Sequence, residues 1–295
     1  MDKSVLREKM TMPNPDFCMK LMKNHSIGIN STAVYAHWHR EMELLYIIEG
    51  SALFKCNDKS FIVNEKDLVV VNCNEIHFGQ NLTEDFLYYC IILDPHILNS
   101  RLIDLCDSKY INPIIENRIL FKNLIVNDES VQQCIESIND EYTNRQVGFE
   151  LFIKASLYKL IVILMRRYIN TVLTDNQVKY RTHNIDRFNR ILKYIENNYT
   201  NNLSLDHMSE QAHMSKYHFC RMFKKMTGHT VTHYINSIRI QEADNLLINS
   251  DLSVSEIAYS VGFHDTSYFS RIYKNTKDTS PSNRRKNILK EYNKL

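Results

Sequence analysis

Residues 254–281 read VSEIAYSVGFHDTSYFSRIYKNTKDTSP. Ser253, just ahead of them, can cap a short amphipathic helix with its hydroxyl. The helix breaks at the tight turn Val261-Gly262-Phe263 and restarts behind Asp265, a second capping residue. In the restarted helix Phe269, Ile272 and Tyr273 share an inward face, while Thr266, Ser267, Ser270, Arg271 and Lys274 point outward. Two short helices at a steep angle, the second polar and basic outside, describe a helix-turn-helix, whose second helix fits the major groove of DNA.

The same plan occurs once more upstream. Leu203, Ser204 and Ala212 align with Leu252, Ser253 and Val261 at an offset of 49; at 50, Phe219, Arg221, Phe223 and Lys224 align with Phe269, Arg271, Tyr273 and Lys274. Ser204 caps the first helix, the turn runs over residues 212–214, and Ser215 caps the second helix. Phe219, Met222, Phe223 and Met226 form one face of that helix; Tyr217, Cys220, Arg221 and Lys224 form another. An arginine at the same register in two copies argues against a merely solvated charge.

Charge follows the repeat. The net charge of the chain is +2, but residues 184–295 hold 16 Lys and Arg against 11 Asp and Glu, a balance of +5, while residues 1–183 stand at −3. Its 295 residues suggest about two domains. Only 6 are glycine, with no G-x-G-x-x-G or G-x-x-x-x-G-K-[ST] string, so folds that cradle phosphates on glycine-rich loops are excluded. Residues 1–10 carry Lys3, Arg7 and Lys9 with no apolar run behind them, unlike a signal peptide, and the most apolar run, 160–165, is far short of the ~20 residues that span a bilayer. The seven cysteines (Cys18, Cys56, Cys73, Cys90, Cys106, Cys134 and Cys220) are odd in number, with no C-x-x-C pair, as expected of reduced thiols in a cytoplasmic protein.

Upstream the chain changes character. Residues 44–48, 51–56, 61–63, 68–71 and 86–93 are rich in β-branched and aromatic side chains and separated by turn residues, which predicts the short strands of a barrel or sandwich. Residues 131–142 and 149–169 predict two helices. In the second, Leu151, Ala155, Tyr158, Val162, Met165 and Ile169 fall on one face, widened by Leu157, Ile161, Leu164 and Tyr168. The polar stretch 174–184 reads as a linker.

The 254–281 string closely resembles the signature of the AraC/XylS family of bacterial transcription regulators, as does the segment 214–247, with MSKYHFCRMFKK and then RIQEADNLL. The resemblance covers roughly residues 185–286 and implies a connecting helix over residues 231–249 that holds two recognition helices about one DNA turn apart, on the order of 34 Å. By position it places Tyr217, Cys220 and Arg221, then Thr266, Ser267, Ser270 and Arg271, against bases, where Arg can fork onto guanine. Lys216, Lys224, Lys225 and Lys274 would meet phosphates. The sequence departs from the family at Ser209, usually small and apolar, and at Asn283, usually aromatic.

A second resemblance lies upstream. His37-Trp38-His39-Arg40-Glu41-Met42-Glu43, with Gly50 beyond, is similar to the first cupin motif, and His77 with Asn81 to the second, although Lys66, Asn72 and Asn74 stand where glycines and proline are usual. In metal-binding cupins the ligands correspond to His37, His39, Glu43 and His77, a set suited to Zn, Fe, Mn or Ni. The same four could line an effector pocket, or form a hydrogen-bonded polar interior without metal.

The expected architecture is therefore α+β: a cupin-like β-barrel with an antiparallel helix pair over residues 1–173, a linker over 174–184, and an all-α domain with two helix-turn-helix motifs over 185–295, about 203–226 and 252–277. The expected function is sequence-specific transcription regulation, with activation favoured by the resemblance, controlled by a small molecule in the barrel. Promoter DNA, an effector, RNA polymerase and a second copy of the chain are the expected partners; the apolar helices over 131–169 are the candidate dimer face. No cofactor is required, a divalent metal being the one candidate. A metal-dependent cupin enzyme with a DNA-binding appendage is the rival reading, and a DNA-binding module without an effector a third.

Overall fold

The computed structural model describes residues 8, 10–100, 104–227 and 229–292, without side-chain detail at 181, 182, 185, 186, 189, 225, 226 and 287–292. Lys3, Arg7 and Lys9 and the side chains of Lys225 and Met226 thus lie outside the described residues. The chain forms two compact units, divided between Asn184 and Ile185.

The N-terminal unit is built from β1 (Met19–Ile27), β2 (Thr32–His37), β3 (Met42–Glu49), β4 (Ala52–Cys56), β5 (Lys59–Val63), β6 (Leu68–Val71), β7 (His77–Asn81) and β8 (Asp85–Leu93), then α1 (Asn112–Ile115), β9 (Ile119–Phe121), β10 (Leu124–Ile125), α2 (Glu129–Asn144), α3 (Phe149–Arg167) and β11 (Ile169–Val172). One sheet has the order β1-β8-β3-β6-β10 and the other β2-β7-β4-β5; β11 pairs with β9. All five predicted strands are present.

Side-chain alternation explains the layers. On β3, Leu45 and Ile47 join Val69, Val71, Cys90 and Ile92 from their own sheet and Val34, Ala52, Phe54 and Val63 from the other in one apolar cluster. Met42, Leu44 and Tyr46, of opposite parity, pack with Val131, Ile135 and Ile138 of α2 and Ile153, Leu157, Leu160, Ile161 and Leu164 of α3. β3 is thus covered on both faces, which is why its sequence is nearly continuously apolar rather than alternating. Glu43 has the parity of Leu45 and so points toward the inner layer.

Two expectations are corrected. Helix α3 packs inward through Ile153, Leu157, Leu160, Ile161 and Leu164, three of which belong to the widened stripe, and leaves Leu151, Tyr158 and Val162 74%, 40% and 42% exposed. The helix is apolar nearly all round, so periodicity finds a stripe on either side. It also ends at Arg167, and Ile169 starts a strand. The polar stretch 174–184 is helical: α4 runs Asp175–Asn198. Thr174 and Gln177 cap it reciprocally, the Thr174 amide donating to Gln177 Oε1 (2.9 Å) and the Gln177 amide to Thr174 Oγ1 (3.4 Å). Polarity marked solvent exposure there, not absence of helix.

The C-terminal unit holds the rest of α4, then α5 (Leu205–Gln211), α6 (Lys216–Thr227), α7 (Val231–Asn249), α8 (Val254–Ser260), α9 (Thr266–Lys277) and α10 (Pro281–Tyr292). All four expected caps form, on Ser204, Ser215, Ser253 and Asp265. That of Ser253 is a full capping box with Glu256. The two turns are built alike. The Gly262 and His213 amides donate to the third carbonyl back (Tyr259, Glu210), and the Phe263 and Met214 amides to the fifth back (Ala258, Ser209). Both turns need a left-handed residue, with Gly262 at φ +94° and His213 at φ +48°. A Cβ at Gly262 would lie 2.6 Å from the Thr200 carbonyl oxygen.

Candidate functional site

α6 and α9 present the expected DNA-facing surfaces. Phe219 and Phe223, like Phe269 and Tyr273, are fully buried, which fixes the opposite face of each helix toward solvent. Tyr217, Arg221 and Lys224 are exposed on α6, with Cys220 half-buried between them; on α9 Ser267, Arg271 and Lys274 are exposed and Thr266 and Ser270 half-buried. Each arginine lies over an aromatic ring of its own helix, Arg221 over Tyr217 (5.9 Å to the ring centroid) and Arg271 over Tyr268 (5.4 Å). Lys216 is ion-paired with Asp206 of the preceding helix. Of the eleven positions chosen from sequence, ten have described side chains and all ten reach the surface or its edge; the side chain of Lys225 lies outside what is described.

What holds α9 in place was not read from the sequence. Asp244 of α7 is buried and accepts from Tyr273 Oη (2.5 Å), Lys277 Nζ (3.3 Å) and Arg284 Nε (3.2 Å). Burial pushes its carboxyl up, but Tyr273, Lys277 and Arg284 outweigh that and leave it below the usual range. Asn236 Nδ2 donates to Tyr268 Oη, and Arg239 donates to the Tyr199 and Asn201 carbonyls. The departures from the family pattern are absorbed: Ser209 is buried with its hydroxyl donating to the Asp206 carbonyl, and the Asn283 amide donates to Ser280 Oγ at the start of α10.

In the N-terminal unit His37, His39, Glu43 and His77 come together. One donor atom from each lies within 4.8 Å of all the others. β2 and β7 pair with His37 opposite His77, and β3 carries Glu43. Each ring is oriented through Nδ1 against a backbone carbonyl: His37 on Tyr35 (2.7 Å), His39 on Glu41 (3.0 Å), His77 on Glu75 (3.1 Å). All three Nε2 atoms are thereby left for other partners, the arrangement by which metal-binding histidines are usually set. Glu43 Oε2 lies 3.0 Å from His39 Nε2 and 2.8 Å from His77 Nε2. The latter contact is misaligned for a hydrogen bond, which leaves a fully buried nitrogen without a well-formed one. Burial pushes the Glu43 carboxyl up, yet His77 and His39 together hold it well below the usual carboxylate range. Either protons on the ring nitrogens or one divalent cation would satisfy this donor set, and three imidazoles with one carboxylate fit a transition ion.

Three surrounding groups carried no sequence signal. Cys90 donates its thiol to Glu43 Oε1 (3.0 Å), and burial, then Glu43, push that thiol up. The Glu75 carboxylate is buried under Asn57, Asn72 and Asn123, which fixes the carbonyl that orients His77. Glu8 Oε2 lies 3.0 Å from His37 Nε2.

Known proteins resemble the chain in both units. A family model for a helix-turn-helix domain matches residues 208–287, and one for an AraC-like ligand binding domain matches residues 30–161. An uncharacterized HTH-type transcriptional regulator of Bacillus subtilis strain 168, YdeC, is 25% identical over 94% of this chain and 93% of its own length. A second from that strain, YbfI, is 26% identical over 79% and 80%. The HTH-type transcriptional activator RhaS of Salmonella arizonae is 32% identical over 42% of this chain and 41% of its own.

Proposed function

Because the chain belongs to the AraC/XylS family of transcription regulators, we propose that it activates transcription by setting α6 and α9 into successive major grooves of promoter DNA under control of a small molecule held in the N-terminal unit. The observation that carries this is the repeat itself: two capped helix-turn-helix units present Arg221 and Arg271 at matching places on the outer faces of their second helices. Arg221 and Arg271 read guanine edges, and Tyr217, Cys220, Thr266, Ser267 and Ser270 make the remaining base contacts. Lys216, Lys224, Lys225 and Lys274 meet phosphates.

The exposed Leu151, Tyr158 and Val162 stripe of α3 supports a homodimer contact on that helix. RNA polymerase is the expected protein partner of an activator, and the cytoplasm the expected compartment. Among the described residues no helix is long and apolar enough to cross a membrane. The relatives described above carry the names of regulators, which favours this reading over a cupin enzyme.

The effector site is assigned to the region of His37, His39, Glu43 and His77. These four would hold a divalent transition ion through the three Nε2 atoms and the Glu43 carboxylate. When bound, such an ion would supply a Lewis-acidic position for an oxygen donor of the effector. The chain's own groups orient the rings, through the Tyr35, Glu41 and Glu75 carbonyls, and exclude water by burial.

Genome-wide mapping of sites bound by the full chain tests the proposal. Occupancy concentrated at a few promoters, with lower transcription of the adjacent genes on deletion, is expected. Occupancy without sequence preference would refute it.

A further inference from the structure

We infer that Glu8 is a competitor for the metal site: its carboxylate holds His37 Nε2, so that occupation of the His37/His39/Glu43/His77 cluster by a divalent cation and docking of the segment before β1 exclude each other. The inference rests on the metal reading proposed for that cluster. His37 differs from the other two histidines in one respect. The Nε2 atoms of His39 and His77 face Glu43, whereas that of His37 faces Glu8 at 3.0 Å. Glu8 does not belong to the set of donors lying within 4.8 Å of one another, yet it holds one member of that set through His37 Nε2.

The backbone fixes Glu8 there. Its amide donates to the Trp38 carbonyl (3.0 Å), and Trp38 lies between His37 and His39 in sequence. Met10 and Met12, further along the same segment, pack against the inner apolar layer between the two sheets. Glu8 and His37 are also the more accessible pair, with side chains 24% and 15% exposed, whereas those of His39, Glu43 and His77 are at most 4% exposed. Three donors are thus permanently buried and one is held by an exchangeable partner. A cation that takes His37 Nε2 must break the Glu8 pair, and by linkage a docked Glu8 weakens the cation by the same factor. The competing pair is partly exposed, so its effect on affinity is about two- to fivefold.

Zn²⁺ titration of the metal-stripped full chain, followed through Trp38, the only tryptophan, tests this in wild type and Glu8→Ala. Hydrogen exchange of the peptide spanning residues 8–16, with and without Zn²⁺, supplies the second measurement. The expected results are about two- to fivefold tighter Zn²⁺ binding by Glu8→Ala, and faster exchange of the wild-type peptide on Zn²⁺ addition. Equal or weaker binding by Glu8→Ala, or unchanged exchange in a wild type that has bound Zn²⁺, overturns the inference and leaves the metal site standing. Absence of Zn²⁺ binding in both proteins removes the metal reading itself, and the inference with it.

Discussion

The hydroxyl of Tyr273, on α9, donates to the carboxylate of Asp244, on α7, across 2.5 Å. Lys277 and Arg284 close on the same carboxylate. Aim and anchorage of α9 are therefore separate matters. Arg271 and Lys274 face outward, and Tyr273 and Lys277 bind the helix to α7.

Asp244→Ala leaves Tyr273 with a buried, unpartnered hydroxyl and is expected to destabilise the C-terminal unit by about 1–3 kcal/mol, measured by denaturant unfolding of the full chain. Because the folded carboxyl lies below its unfolded value of about 3.9, its contribution is fully present above that pH and is lost as pH falls through the folded value. Asp244→Asn should abolish this acid-side loss. An unchanged pH profile in the variant would mean that the carboxylate does not anchor the helix.

The paired turns make opposite predictions. His213 holds a left-handed conformation without being glycine, so His213→Gly is expected to stabilise the chain by up to about 1 kcal/mol. Gly262→Ala combines the strained φ with a clash on the Thr200 carbonyl and should cost about 2–4 kcal/mol. Thermal unfolding of both variants checks the sign of each. A destabilised His213→Gly would count against the shared turn geometry.

Base and phosphate contacts separate by their response to salt. Arg221→Ala and Arg271→Ala should each weaken specific binding by about 1–3 kcal/mol and relax the preference for one base pair. Lys224→Ala and Lys274→Ala should weaken all sequences alike and flatten the salt dependence by about one unit of slope each. Fluorescence-anisotropy titrations at several salt concentrations distinguish the two patterns.

Val162→Asp on the exposed stripe of α3 should convert a dimer to a monomer in sedimentation velocity without loss of helical signal, since the buried face of the helix does not include it. A dimer unaffected by this change would place the contact elsewhere.

Much of this was legible in sequence, for identifiable reasons. Caps and turn residues act locally, so Ser204, Ser215, Ser253, Asp265 and Gly262 could be read by position, and Phe219, Phe223, Phe269 and Tyr273 followed from period. The face of α3 could not be chosen, because both of its sides are apolar and only packing against the sheet decides between them. Nor could the first part of α4, since residues 175–184 are mostly polar and the periodic apolar positions Phe188, Ile191, Leu192 and Ile195 come only later in the helix. The histidine cluster was legible because His37, His39 and Glu43 lie within seven residues. Glu8, Glu75 and Cys90 were not, because their roles come from tertiary contacts between separate strands and loops.

The two-helix reading of DNA is tested most directly by footprinting the full chain on a promoter fragment recovered from genome-wide mapping, beside Arg221→Ala and Arg271→Ala. Wild type should protect two major-groove windows centred about 10 base pairs apart, and each variant should lose one window in preference to the other. A single window, or two that persist equally in both variants, would show that α6 and α9 do not read the DNA as a pair.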